Sequence, residues 1–161
     1  PAHGGAQGDA RVMAPFGHGG PADLRARLDT ELRERIEEAV DFVCLDALVR
    51  RRRARGLPAP AADSPADREE FTRSVRAFLE RLGARIVGEL SEEQRRKIGG
   101  APVSIGDVPQ LVAVQVALAK ELPDYWQRFE AIGASYAGEA GEARASGGEG
   151  RSLIHRLFSR G

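Results

Sequence analysis

Leu24, Leu28, Leu32, Ile36, Val40, Val43 and Ala47 recur at intervals of three and four, as one face of an α-helix requires. Ala39, Cys44 and Leu48 widen that face, while Arg25, Arg33, Glu34, Glu37, Glu38 and Asp41 occupy the other. The pattern predicts a helix over about 21–55, roughly 50 Å long at ~1.5 Å per residue, stopped by Gly56 and Pro58. GLPAPAAD then reads as a linker. Ser64-Pro65-Ala66-Asp67 places an N-cap, a first-turn proline and an acid at the start of a second helix. Its stripe is Phe71, Val75, Phe78, Leu79, Leu82, Ile86 and Leu90. Ser91 to Gln94 spells a capping box that opens the short helix SEEQRRKI, which Gly99-Gly100 ends.

Asp107-Val108-Pro109-Gln110 is a further capping signature. The helix it opens, LVAVQVALAKEL, is apolar on nearly all sides, with Gln115, Lys120 and Glu121 as its clearly polar positions. A helix of that kind belongs in the middle of a bundle. Pro123 is expected to start the last body helix, which carries Tyr125, Trp126, Phe129, Ile132 and Tyr136. The predicted fold is all-α: a helical bundle of four main helices plus one short helix over 21–137. A glycine-rich leader over 1–20 shows no apolar periodicity and reads as disordered. Residues 138–150, rich in glycine and lacking large apolar side chains, read as a flexible linker to a C-terminal segment, 151–161. The first helix is longer than its neighbours, so part of its stripe would stay uncovered in a monomer, an expectation of self-association into a homo-oligomer.

Composition changes this picture little. With 24 basic and 24 acidic residues the net charge is zero, so a broad electrostatic footprint for nucleic acid is missing. The one basic run, Arg50, Arg51, Arg52 and Arg53, is a candidate anion patch. Its plainer reading is a set of cations at a helix C-terminus, where the backbone dipole favours them. Abundant arginine and scarce lysine match a GC-rich bacterial genome, which discounts arginine clusters further. Cys44 is the single cysteine; it excludes an internal disulfide and sits on the apolar stripe as a small hydrophobe. No apolar run approaches the ~18 residues of a membrane span, and the expected location is the cytoplasm.

The sequence carries few recognisable chemical constellations. His3, His18 and His155 all lie outside the helical body, which therefore has no histidine base or metal ligand. Phosphate loops, nucleophile elbows and dinucleotide fingerprints do not occur. The acidic pairs Glu37-Glu38 and Glu92-Glu93, and Asp67 with Glu69-Glu70, read as solvated faces, because adjacent helical residues point about 100° apart. No catalytic, metal or cofactor constellation is expected, and the chain reads as a non-enzyme. Tyr125, Trp126 and Phe129 could line a small-molecule pocket, with Tyr125 as the exposed ring, although their spacing suits a core face better.

The closing segment RSLIHRLFSRG holds the most specific pattern. As a helix, Leu153, Ile154, Leu157 and Phe158 cover an arc of about 140°. Arg156 and Arg160 border it on one side, Arg151 on the other, and His155 and Ser159 point away. Cationic stems beside an apolar arc suit an interface. Burial of the four apolar side chains contributes about 6–12 kcal/mol, and ordering the backbone costs a similar amount. Such a segment binds weakly by itself. SLIHRLFSR resembles the C-terminal membrane-targeting helices of bacterial division-site proteins. The resemblance covers those residues alone and implies only a mode of contact with anionic membrane. Docking to a protein partner or shell, and folding back onto its own bundle, are equally consistent with the pattern. The expected function is an adaptor or scaffold that docks through this tail; the alternative is a small-molecule sensor with its pocket near Trp126.

Overall fold

The computed structural model describes residues 20–99 and 106–145, with side chains as far as Gly141. Among them are five helices and no strand: α1 Pro21–Ala54, α2 Pro65–Gly88, α3 Glu92–Ile98, α4 Val108–Glu121 and α5 Tyr125–Ala145. The all-α bundle of four main helices and one short one is therefore the fold. Residues 1–19 of the leader and all of the 151–161 segment lie outside the described residues.

The helix boundaries follow local chemistry. Ser64 accepts a hydrogen bond from the Asp67 amide, and Pro65 occupies the first turn of α2. Ser91 and Gln94 close a full capping box on α3, which ends at Gly99 with φ 82°, a left-handed conformation that suits glycine. Asp107 and Gln110 close a second box on α4.

Two boundaries differ from the sequence reading. The last body helix begins at Tyr125, because Pro123 and Asp124 form a turn after the Leu122 cap. That helix also runs to Ala145, through the first part of the expected linker. Packing explains the extension. Ala140 is buried, Arg81 binds Glu139, and a Cβ on Gly141 would stand 3.8 Å from Arg50 Cβ. Tertiary contact thus outweighs the poor helix propensity of glycine.

Contacts divide the chain after Arg35 into two compact units. Residues 21–35 of α1 belong to the first, where Leu24 and Leu28 are exposed. In the second unit, α2 touches both α4 and α5, and α4 touches α3 and α5. The core gathers Ile36, Val40, Cys44, Ala47 and Leu48 of α1 with Phe78, Leu79, Leu82 and Ile86 of α2, Leu111 and Leu118 of α4, and Phe129 of α5. Phe78 meets Phe129 edge-on at 5.7 Å and Tyr136 at 5.1 Å between centroids. Helix α4 is less enveloped than its composition suggests: Ala113 and Ala117 are exposed, while Leu111, Val112, Gln115 and Leu118 are buried.

Candidate functional site

Phe42 and Leu45 stand off the apolar stripe of α1. With Leu48 they form an i, i+3, i+6 row, each step turning by about 60°. The row therefore leads from solvent into the core: Phe42 is 76% exposed, Leu45 is 48% exposed, and Leu48 is fully buried. Across from it stand Pro60, Ala61 and Ala62 of the α1–α2 loop, with Arg68 and Phe71 of α2. Together they enclose an open groove of about 510 Å³.

The loop wall has a defined shape because an ion pair holds it. Arg52 donates to Asp67 Oδ1 at 2.5 Å and to Glu70 Oε2 at 2.8 Å. The other Asp67 oxygen accepts from the Ala61 amide at 2.8 Å. The Leu57 amide bonds Arg52 O, and Gly56 takes φ 64° to make the turn. One carboxylate thus ties the α1 C-terminus to the loop and to the first turn of α2. Arg52 and the Ala61 amide hold the Asp67 carboxyl below the usual carboxylate range.

The walls are almost entirely hydrocarbon, with Asp41, Asp67 and Arg68 as the ionisable lining residues. Partial burial, and then the neighbouring Glu37 carboxylate, raise the Asp41 carboxyl above its ordinary value. Such a groove offers a ligand apolar contact area edged by charge. Among the described residues no group of three or more His, Cys, Asp or Glu is placed to hold a metal ion.

The aromatic residues near Trp126 do not line this groove. Tyr125, expected to be the exposed ring, is only 1% exposed, and its hydroxyl donates to Gln115 Oε1 at 2.8 Å. Burial pushes its phenol well up. Phe129 is also buried, and Trp126 is half-buried against both rings. Two of the three side chains are thus core members.

The arginine run is divided between tasks. Arg50 pairs with Asp46 at 3.1 Å, and Arg52 is the loop clamp. Asp67 and Glu70, read as solvated, are its counter-ions. Cys44 is buried as expected, which pushes its thiol up to about 12. The predicted docking residues Arg151, Leu153, Ile154, Arg156, Leu157, Phe158 and Arg160 lie outside the described residues.

The groove was missed in the sequence although part of its signal is there. Phe42 and Leu45 are two large apolar residues, three apart, on the polar side of an amphipathic helix. Their partner wall had no readable pattern, since PAPAA has no periodicity. Compared with known proteins, the chain matches no family model, no curated protein and no solved structure.

Proposed function

We propose that this protein is a non-catalytic adaptor whose α1–α2 groove binds an amphipathic helix. The observation that carries the reading is Phe42, 76% exposed beside an apolar groove with a clamped wall. Large exposed rings over apolar clefts are characteristic anchors of protein interfaces. A helix laid in such a groove contributes side chains at i, i+3 or i+4, and i+7.

The groove volume of about 510 Å³ also falls within the range of small-molecule sites. That gives the sensor reading a place in this groove in addition to Trp126. Small-molecule sites, however, bury ~70–90% of their ligand. A groove this open leaves one side of a small ligand in water, and an extended segment covers it better.

A library of displayed helical peptides, panned on the full chain carrying Leu157→Asp in its own C-terminal apolar arc, with Phe42→Asp added for counter-selection, tests the reading. Amphipathic sequences whose binding weakens about tenfold or more in the variant are expected. Peptides that bind both chains equally, or recovery of no helical peptide, would sink it.

A further inference from the structure

We infer that the groove is occupied, within the same chain, by the segment Ser152–Arg160, which competes there with any outside helix. This inference rests on reading the groove as a helix-binding surface.

Three observations point to this occupant. The first is length. At ~1.5 Å per residue, Phe42 to Leu48 spans about 9 Å of helix axis and Leu153 to Phe158 about 7.5 Å. The apolar arc of Leu153, Ile154, Leu157 and Phe158 therefore matches the apolar row that would receive it.

The second is charge. Arg156 and Arg160 share one border of the arc. Glu37, Glu38 and Asp41 stand on α1 at and before the groove. A helix seated with that border towards α1 sets cations beside carboxylates, with His155 and Ser159 in solvent. Arg68, the cation of the lining, stands on the other wall.

The third is where the chain leads. Gly133 of α5 meets Val43 of α1, and Gly141 meets Arg50. Both numbers rise together, so the two helices run parallel, and α5 ends at Ala145 near the last turn of α1. The Pro60–Ala62 wall follows directly from that end of α1. Eight peptide steps separate Ala145 from Leu153, a reach of roughly 27 Å when extended. Half the girth of a helix about 10–12 Å across is roughly 17 Å, so the connection can pass round it. A tether this short also raises the effective concentration of the segment to the millimolar range, which offsets its weak intrinsic binding.

Hydrogen–deuterium exchange on the full chain tests this directly. In the intact protein, amides of Leu153–Phe158 are expected to exchange about tenfold more slowly than in the free peptide Arg151–Gly161. That protection should not depend on protein concentration. It should vanish in Phe42→Asp, whose side chain is exposed and whose fold is therefore retained, and in Leu157→Asp, which leaves the body untouched. Exchange at the free-peptide rate in the intact chain would overturn the inference. So would protection that survives Phe42→Asp, that rises with protein concentration, or that appears only with vesicles containing phosphatidylserine. Each of these leaves the groove reading standing if selected helical peptides still depend on Phe42; loss of that dependence defeats the groove reading itself.

Discussion

Gln115 is a polar residue on an apolar helix, and it is completely buried. Its carbonyl accepts from the Tyr125 hydroxyl at 2.8 Å, while its Nε2 has no hydrogen-bond partner. The pair is a local commitment: the phenol and the amide oxygen satisfy each other in a site closed to solvent. Tyr125→Phe should cost about 1–3 kcal/mol in urea unfolding, because the Gln115 carbonyl is then left unpaired in the core. Gln115→Leu should cost a similar amount through the orphaned phenol. The double substitution should return to within about 1 kcal/mol of the parent, since two apolar groups then replace the pair. Additive losses in the double variant would show that the bond contributes nothing specific. In the sequence Gln115 reads as a polar position on an otherwise apolar helix and Tyr125 as an exposed ring, because periodicity records where a residue falls on its own helix. It does not record which polar atoms meet across two helices.

At the scale of elements, the caps and the stripes were legible and the junctions were not. Ser64, Ser91 and Asp107 cap as their local sequences predict, because a cap is settled within four residues. The course of α5 past residue 137 depends instead on a neighbour. Its small residues lie where α1 approaches, and a Cβ on Gly133 would stand 3.0 Å from Val43 Cγ2. Gly133→Leu should therefore destabilise by about 1–3 kcal/mol through overpacking. Gly138 has nothing within 4 Å of the corresponding position. Gly138→Ala should stabilise by about 0.5–1 kcal/mol through helix propensity alone. Opposite signs in thermal melts of the two variants would separate packing from propensity, and equal signs would contradict the α1–α5 contact.

For the molecule as a whole, ion pairs link the helices that hydrophobic stripes bring together. Arg52 joins α1 to α2, and Arg81 joins α2 to α5 through Glu139. Asp67 and Glu139 both have carboxyls held below their ordinary values of 3.8 and 4.5, chiefly by hydrogen bonds from those arginines. A depressed carboxylate contributes stability above its unfolded value and loses it as pH falls through its folded value. Stability from these two groups should therefore be fully present above about pH 5 and decline in more acid solution. Asp41, raised by burial and by Glu37, works in the opposite direction over the window just above its ordinary value of 3.8. Arg52→Leu should lower the melting temperature near neutrality, and the gap to the parent should narrow as pH falls below 3.8. A gap that is constant from pH 7 to about 2 would mean that Arg52 acts through packing instead of charge.

The sequence by itself determined the all-α class, the N-caps of α2, α3 and α4, and the buried stripes of α2 and of α1 from Ile36 onward, because those depend on periodicity and on chemistry within a turn or two. Only the tertiary structure decided that Arg52 would clamp a loop, that Gln115 would be buried and that α5 would continue to Ala145. The groove beneath Phe42 belongs with these. Its two walls are separated in sequence by a turn without pattern, and their apposition exists only once α1 and α2 have packed.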